Sequence, residues 1–359
     1  MTLSVCLIVR DEQDVIGRCL NCALKFADEI VVVDTGSVDE TVSEVKKFTQ
    51  NVYFFKWCDD FSAARNFAFE KATSELVMWL DADDVITDEN CKKILELKSS
   101  FKGYDMAVLP YAVCFDGDIP TFVYNRERIF RRSKNYRFEG EVHEAVTPRG
   151  KVMYSDAIIY HKKVKENKPM RNLYILQKLI ASGKALTERQ KFYYGRELLF
   201  NNMYKESIAV LQDFLCGDGW VVNKVEACYN LYQAYSALGQ TRRALSWLAY
   251  GFTFAPPQSN ACCILGEHFF NEGNLTAAEY WYKTAIAVNG GEKDGGFYNR
   301  DYGGFIPYMQ LCVICDRRGE YKQACAYNEA AGKIKPYNAN YLSNKKYFEE
   351  LGIRGKMND

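Results

Sequence analysis

The sequence lacks three features, and each absence excludes a class of protein. Lys plus Arg equals Asp plus Glu at 46 each, so no overall positive field attracts nucleic acid. No run approaches the roughly 18 consecutive apolar residues that a membrane-spanning helix needs. The apolar stretch near the N-terminus is too short for a secretory leader and lacks a basic start. We therefore expect a globular protein without a transmembrane segment or a nucleic-acid partner.

The sequence also lacks a cysteine framework. Its 13 cysteines are odd in number and follow no regular spacing, which favours thiols in a reducing, cytoplasmic setting. Cys19 with Cys22 and Cys312 with Cys315 form CxxC pairs that could nominally bind zinc. They lie far apart in the chain and lack the glycines of a zinc knuckle, so we interpret the spacing as coincidence.

The first 165 residues alternate short apolar runs with segments of helical periodicity. Runs such as LSVCLIVR and LVMWLD are typical of strands that cross the core of a sheet. Strands alternating with helices predict right-handed crossovers and a mostly parallel, doubly wound sheet. The predicted order is LSVCLIVR (strand), DVIGRCLNCALKFA (helix), EIVVVD (strand), VSEVKKFT (helix), VYFFKW (strand), FSAARNFAFEKA (helix) and LVMWLD (strand).

Polar residues follow the end of each predicted strand. Ligands of such sheets bind beyond the carboxyl ends of the strands. The clustering therefore predicts a binding site at one edge of the sheet. The segments concerned are Arg10-Asp11-Glu12, Asp34-Thr35-Gly36-Ser37, Trp57-Cys58-Asp59-Asp60 and Asp81-Ala82-Asp83-Asp84.

Residues 105–160 change to β-type segments, for which we expect a partly antiparallel region beside the cleft. The stretch KENKP at 165–169 is typical of a domain boundary. We predict an α/β domain over residues 1–165 and an all-α domain over residues 166–359.

The second domain is predicted to be built from repeated helix pairs. In three copies a glycine, which turns between two helices, precedes by five residues an alanine that lets the helices pack closely. The first two glycines are 34 residues apart, which is the tetratricopeptide period. A glycine-rich insertion at 290–304 separates the last two copies. The pairs are Gly239 and Ala244, Gly273 and Ala278, and Gly319 and Ala324, and Asn202 takes the place of the glycine in an earlier copy.

The segment ELVMWLDADD delivers Asp81, Asp83 and Asp84 to the end of an apolar strand. Like charges at this spacing repel each other and lose solvation near a core, so a cation is expected beside them. An Asp-x-Asp supplies hard oxygen ligands to Mg²⁺ or Mn²⁺, which complete their shells with substrate phosphates and water. The alternative is an ordinary surface turn rich in aspartate.

Four segments together resemble family 2 glycosyltransferases of the GT-A fold, over residues 1 to about 165. They are SVCLIVRDEQDVIGRCL, EIVVVDTGSVDET, WCDDFSAARNFAFEKA and LVMWLDADD. The resemblance implies an enzyme that binds a nucleotide-sugar, most commonly a UDP-sugar, along these strand ends. It also implies transfer of the sugar with inversion at its anomeric carbon.

The resemblance further implies roles for the residues that bind the donor. Asp34 would accept from the N3–H of the nucleobase, and Arg10 and Glu12 would border the base and ribose. Arg65, supported by Asn66, would lie beside the base and the diphosphate. Local alternatives remain, since Asp34 could cap its turn, Glu12 could cap the next helix and Arg65 could be a solvated charge.

In the acidic segment, the resemblance assigns Asp83 to the metal and Asp81 to the ribose, the metal or a metal-bound water. Asp84 would orient Asp83 or contact the sugar. His161 would complete the metal shell or touch the diphosphate.

Inverting transfer also needs a general base opposite the leaving diphosphate. In similar family members a G-x-x-H-E stretch follows an R-I-F-R strand, and ERIFRRSKNYRFEGEVHE fits this pattern. We predict Glu144 as the base, with Glu141 as the alternative because spacing does not choose between them. His143 would orient the site. A glutamate at an exposed strand edge is the non-catalytic alternative.

A transferase domain followed by tetratricopeptide repeats resembles the sublancin-type peptide S- and O-glycosyltransferases. The resemblance implies transfer of a hexose to Cys or Ser/Thr of a peptide or protein, and a homodimer formed through the repeats. The same N-terminal motifs occur in enzymes of lipopolysaccharide core and capsule assembly. A non-catalytic repeat scaffold is a further alternative. The sugar and the nucleobase stay open.

Overall fold

The computed structural model describes residues 1–164, 170–288 and 298–353. The chain divides into two compact units, Met1–Gly219 and Trp220–Asp359, called here the N-terminal and C-terminal units. The predicted boundary segment, 165–169, lies outside the described residues, and the division at 165/166 stays a prediction. The three helices that follow this segment group with the N-terminal unit.

The N-terminal unit is built on one sheet whose first four strands are parallel and lie in the order β3-β2-β1-β4. In their register, Val9 lies opposite Asp34, and Leu7 lies opposite Leu80. The carboxyl ends of these strands therefore share one edge. The strands are β1 (Leu3–Val9), β2 (Glu29–Asp34), β3 (Val52–Phe54) and β4 (Leu76–Leu80).

The sheet continues into a partly antiparallel region, as predicted for residues 105–160. A long hairpin of β6 (Met106–Asp116) and β7 (Ile119–Arg131) joins the sheet because β7 runs antiparallel to β4. The remaining strands are β10 (Val152–Tyr154) and β11 (Ile159–His161), both parallel to β6; β5 (Asp84–Val85), antiparallel to β11; and the separate pair β8 (Phe138–Glu139) and β9 (Ala145–Val146).

Both faces of the sheet are covered, which explains why the strands read as continuous apolar runs. Alternate residues of β1, namely Leu3, Val5 and Leu7, pack into the core on one face, and Cys6 packs on the other face with Trp79. The helices of this part are α1 (Ile16–Ala23), α2 (Thr41–Val45), α3 (Phe61–Lys71) and α4 (Asp88–Ser100).

Three of these helices differ from the sequence prediction. Helix α4 was not among the predicted elements, and its N-cap is Thr87, whose side chain accepts from the backbone N–H of Asn90. Helices α1 and α2 end earlier than predicted, because turns follow Ala23 and Val45. Helical periodicity of the apolar residues therefore extends beyond the helices themselves.

Three further helices complete the N-terminal unit, and helix pairs make up the C-terminal unit. The first three are α5 (Arg171–Ala181), α6 (Glu188–Phe200) and α7 (Tyr204–Cys216). The C-terminal unit contains α8 (Val221–Ala237), α9 (Thr241–Tyr250), α10 (Ser259–Asn271), α11 (Leu275–Ala287), a short strand β12 (Tyr298–Asn299), α12 (Phe305–Arg317), α13 (Tyr321–Ile334) and α14 (Ala339–Glu350). Residues 289–297, which include part of the predicted insertion, lie outside the described residues.

The turns inside the helix pairs share one backbone conformation. Gly239, Gly273 and Gly319 all have a positive φ, between 71° and 77°. Asn202, which stands at the glycine position of the earliest copy, has a φ of 61°. Asparagine is among the few side chains that tolerate this left-handed conformation, so the substitution keeps the turn. The alanines that follow, Ala244, Ala278 and Ala324, are fully buried, as expected for close helix packing.

The 13 cysteines are thiols rather than disulfides. Cys58, Cys114 and Cys216 are exposed, and all three belong to the N-terminal unit. The six cysteines of the C-terminal unit are buried. Among the described residues, no helix combines the length and the apolar character needed to span a bilayer.

Candidate active site

Arg65 joins two of the predicted site residues. It lies on α3 and is 7% exposed, with its guanidinium 4.4 Å from the centre of the Trp79 ring. Its Nε donates to Oε1 of Glu144 at 2.6 Å, and its Nη2 donates to Oδ1 of Asp81 at 2.7 Å. The structure thus brings the acidic segment and the predicted base to the same arginine, although they are far apart in the chain.

The charges around Arg65 shift its own pKa and the pKa of Asp81. Burial alone would lower the pKa of Arg65, but the charges of Asp81 and Glu144 raise it above its ordinary value. Burial alone would raise the pKa of Asp81, and the positive charges of Arg65, Arg128 and His161 lower it instead. Arg65 and Asp81 are therefore held in their charged forms. Nη1 of Arg65 is buried and has no hydrogen-bond partner among the described residues.

Asp84 is fully buried and is neutralised by a second arginine. Its Oδ2 accepts from Nη1 of Arg128 at 3.2 Å and from the backbone N–H of Asp81 at 3.0 Å. Its Oδ1 accepts from the hydroxyl of Tyr111 at 2.9 Å. Arg128 is itself fully buried, between the rings of Trp79 and Tyr111 at 3.6 Å and 4.2 Å. Asp84 therefore fixes the acidic segment from inside the core.

His161 closes the other side of the acidic segment. Its Nδ1 lies 3.1 Å from Oδ1 of Asp83, 3.3 Å from Oδ1 of Asp84 and 2.7 Å from the hydroxyl of Tyr111. Burial alone would lower the pKa of His161, but its hydrogen bonds to Asp83 and Asp84 and the charge of Asp81 raise that pKa to about 10. The protonated ring thus supplies positive charge beside the carboxylates.

The donor set at this position fits a divalent metal ion. Ligand atoms of Asp81, Asp84 and His161 lie within 4.8 Å of one another, and Asp83 contacts the same imidazole. Carboxylate oxygens with one imidazole suit Mg²⁺ or Mn²⁺. Because a metal-bound imidazole must be neutral, a metal ion would take the place of the ring proton. Asp84 already accepts from three donors besides His161, so Asp83 as a metal ligand in its place stays a prediction.

Two residues of α1 hold the acidic segment through its backbone. Arg18 Nη2 donates to the carbonyl of Asp83 at 3.3 Å and also to the carbonyl of Lys162. The thiol of Cys19 donates to the carbonyl of Asp81 at 3.3 Å. Arg18 therefore links the segments that carry Asp83 and His161. Neither α1 residue was singled out from the sequence for this role, because its contacts depend on how α1 lies against the sheet.

The residues predicted to border the nucleobase lie at the same edge but have local partners. Both carboxylate oxygens of Asp34 accept from the backbone N–H of Ser37 at 3.2 Å, and Oδ2 also accepts from Gly36 at 3.0 Å. Asp34 therefore caps its turn, which was the alternative considered from the sequence. Arg10 is exposed beside Asp11, at 4.0 Å. The backbone carbonyl of Glu12 accepts from backbone N–H groups at the start of α1.

The side chain of Asn66 pairs with the backbone of β8. Its Nδ2 donates to the carbonyl of Phe138 at 3.0 Å, and its Oδ1 accepts from the N–H of Phe138 at 2.9 Å. This pairing attaches α3 to β8. Asn66 thereby fixes the helix that carries Arg65.

The two candidate bases occupy different surroundings. Glu144 is bound to Arg65, whereas Oε2 of Glu141 accepts from Nε2 of Gln190 at 2.6 Å and its Oε1 lies 3.8 Å from the ammonium of Lys184. Glu144 therefore shares Arg65 with Asp81, and Glu141 contacts residues in and just before α6. This geometry favours Glu144 over Glu141.

Comparisons with known proteins find a family match in the N-terminal part of the chain. Residues 4–159 match the family model described as glycosyl transferase family 2. The chain is 30% identical over 227 residues to the SPbeta prophage-derived glycosyltransferase SunS of Bacillus subtilis (strain 168), and the match covers 59% of this chain and 52% of SunS.

Two further relatives match shorter stretches. A TPR repeat-containing protein of Synechococcus elongatus is 34% identical over 145 residues, which covers 40% of this chain and 35% of that protein. The lipopolysaccharide core biosynthesis glycosyltransferase LpsC of Rhizobium meliloti is 28% identical over 162 residues, which covers 42% of this chain and 59% of LpsC. The chain thus spans about half the length of the first relative and between 35% and 59% of these two. The match of residues 4–159 to the glycosyl transferase family 2 model agrees with the family predicted from the sequence, and helix pairs follow that region.

Proposed function

We propose that the chain is an inverting, metal-dependent glycosyltransferase that moves a hexose from a UDP-sugar to a peptide or protein. The observation that carries this proposal is Arg65, which bridges Asp81 and Glu144 at hydrogen-bond distance. One arginine thereby connects a candidate metal-binding carboxylate with a candidate general base. An inverting transferase needs these two groups close to each other, because the donor and the acceptor must meet between them.

In this proposal Asp83, Asp81 and His161 hold Mg²⁺ or Mn²⁺, with Asp84 as the orienting residue. The metal would neutralise charge on the diphosphate of the donor. The buried Nη1 of Arg65, which lacks a protein partner among the described residues, is available to a phosphate oxygen. Asp34, Arg10 and Glu12 border the nucleobase and ribose. The carboxylate of Asp34 already caps a turn, so the base would be a further donor to it.

The transfer step uses Glu144 as the base. A thiol or hydroxyl of the acceptor loses its proton to Glu144 while its sulfur or oxygen forms a bond to the anomeric carbon. The bond from that carbon to the diphosphate oxygen breaks, and the nucleoside diphosphate leaves with the electron pair. A cysteine acceptor would need less help from Glu144, since thiols have a pKa of about 8.5.

The acceptor is proposed from the resemblance to sublancin-type enzymes and from the helix pairs of the C-terminal unit, which in repeat proteins form binding surfaces. We also propose that the chain forms a homodimer through these helices, which light scattering would check. We propose a cytoplasmic location, because free thiols favour a reducing compartment. A second candidate acceptor, a lipopolysaccharide core, is supported by the match to LpsC. A non-catalytic scaffold is the remaining alternative.

The test is to incubate the purified chain with Mn²⁺, a panel of UDP-sugars and peptides that contain Cys, Ser or Thr. Mass spectrometry should detect addition of one hexose to a peptide. Transfer to a lipopolysaccharide core oligosaccharide alone would favour the second candidate. Absence of transfer, of donor hydrolysis and of a thermal shift with every donor would favour the scaffold and contradict the proposal.

A further inference from the structure

The loop that carries Glu144 is bound to helices that lie beyond the predicted transferase domain. In the stretch from Gly140 to Glu144, Val142 is buried and packs against Ile175 and Leu176 of α5. His143 has a φ of 52°, a left-handed backbone conformation that residues other than glycine rarely adopt. Such a conformation persists only where neighbouring contacts hold it. The contacts of His143 therefore decide how the loop is fixed.

His143 is held by α6 through three contacts. Its Nε2 lies 2.7 Å from Oε1 of Glu197, and its ring stacks on Tyr193 with centroids 4.1 Å apart and an interplanar angle of 12°. Its backbone carbonyl accepts from Nη2 of Arg189 at 3.0 Å. Glu197 is 9% exposed and also accepts from Nδ2 of Asn172 at 3.2 Å. Helix α6 thus holds the ring and the backbone of His143, and Asn172 of α5 holds the carboxylate of Glu197.

The contact with His143 also affects the pKa of Glu197. Burial alone would raise the pKa of Glu197, but the hydrogen bond and the charge of His143 lower it below its ordinary value. A buried carboxylate is costly unless it is paired, and here its partner is the residue next to Glu144 in the chain. This cost points to a role beyond packing.

We propose that Glu197 is a positioning residue that acts through His143 and directs Glu144 toward the acceptor. The inference rests on the proposed function, since it needs Glu144 to be the base. Glu144 is held by Arg65 on its carboxylate, by Arg126, whose Nη2 donates to its backbone carbonyl at 3.3 Å, and by His143 through the chain. Loss of the His143–Glu197 contact would loosen the hold through His143 and leave the two arginine contacts of Glu144 in place. The helices α5 and α6 are therefore part of the catalytic apparatus, although they follow residue 165.

The experiment compares Glu197→Ala, Glu197→Gln and a matched control in the full chain. Glu197→Ala should lower the turnover number of transfer by about 100-fold, because misplacement of a catalytic group by about 1 Å has an effect of this size. The donor KM should stay unchanged, since Arg65 contacts Asp81 of the proposed donor site through Nη2 and Glu144 through Nε. Glu197→Gln keeps an oxygen for His143 and should recover most of the activity. Glu206→Ala, which changes an exposed glutamate on α7, should behave like the wild type.

Two further measurements separate positioning from a general loss of structure. In a Glu144→Gln background, Glu197→Ala should have no additional effect on turnover, because a residue that acts through Glu144 loses its effect when the base is absent. Hydrogen exchange of residues 138–146 should accelerate in Glu197→Ala while that of α6 stays slow. An additive loss of turnover, an equal loss in Glu197→Gln, or unchanged exchange would overturn the proposal.

The outcomes also distinguish this inference from the proposed function. If the wild type transfers the sugar and Glu197→Ala retains full activity, the positioning role is contradicted but the proposed function is not. A wild-type chain that shows no transfer or hydrolysis with any donor contradicts the proposed function. The exchange measurement needs no substrate and still decides whether Glu197 holds the loop.

Discussion

The two units bury different kinds of side chain. The N-terminal unit buries the charged residues Asp34, Arg65, Asp84, Arg128 and Glu197. Among the described residues of the C-terminal unit, Lys335 is the single buried charged side chain, and the helix pairs pack through alanine, cysteine and glycine. Burying a charge is costly unless a partner and hydrogen bonds offset the lost solvation. Concentrated burial of charge therefore distinguishes the unit that contains the candidate site from the unit whose helix pairs pack through small residues.

The largest expected effect concerns Asp83, which is proposed as a metal ligand. Asp83→Ala should abolish metal-dependent donor binding and leave the fold intact, because Asp83 is a partly exposed carboxylate beside His161. Calorimetric titration of a UDP-sugar with and without Mn²⁺ measures the loss. Asp118→Ala, on a fully exposed carboxylate, is the matched control and should bind like the wild type. Unchanged metal-dependent binding in Asp83→Ala would remove Asp83 from the site.

Glu144→Gln should lower the rate of transfer by roughly 10²- to 10⁴-fold, the usual contribution of a general base. Donor affinity should be retained, because glutamine can still accept from Arg65. The loss should be smaller for a Cys acceptor than for Ser or Thr, since the thiol is more acidic. Steady-state transfer assays check both expectations. The control is Glu139→Gln, which changes an exposed glutamate in β8. An equal loss in that control would contradict the assignment.

Arg128→Met tests whether buried charge also supports stability. Arg128 and Asp84 are both fully buried, so replacing the arginine removes a buried ionic partner of Asp84 and should lower the free energy of unfolding by about 3–5 kcal/mol. Urea denaturation followed by tryptophan fluorescence measures the change. Lys25→Met, which removes one partner of an exposed ion pair with Asp88, should have almost no effect. Equal stability of Arg128→Met and the wild type would show that the pair is not needed for the fold.

The smallest expected effect concerns the packing of the repeats. A Cβ at Gly266 would lie 2.9 Å from the ring of Tyr282, which is 1% exposed and cannot move aside. Gly266→Ala should therefore destabilise the C-terminal unit by about 1–3 kcal/mol. The comparison is Gly17→Ala in α1, where the nearest atom would be 3.8 Å away and alanine favours the helix. Calorimetric unfolding of both variants checks the contrast. A Gly266→Ala variant as stable as the wild type would contradict it.

Local patterns in the sequence predicted the architecture and the edge of the sheet where the site lies. The apolar runs predicted β1, β2 and β4, and polar residues at their ends marked the edge. The repeated glycines and alanines predicted the helix pairs, and Asn202 was correctly placed in the same turn. These features depend on residues close together in the chain, which is why pattern alone predicts them.

The ion pairs of the acidic segment with arginine were not predicted. The sequence indicated a cation beside Asp81 and Asp84, and a metal was the expected one. In the structure, Arg65 and Arg128 already supply positive charge there. Arg128 comes from β7 and reaches Asp84 only because β7 pairs antiparallel with β4. Glu197 likewise depends on how a helix lies against a distant segment. Such contacts follow from tertiary packing and leave no periodic signal in the sequence.

The distribution of the thiols makes transient opening of the repeat helices measurable. Iodoacetamide reacts with thiolates, and burial raises the pKa of Cys228, Cys312 and Cys315 to about 12. Alkylation of the intact protein should therefore begin at the exposed thiols of the N-terminal unit. Each later adduct on a repeat would report how often its helices open, so one reagent and a mass spectrometer can time these fluctuations without an engineered probe.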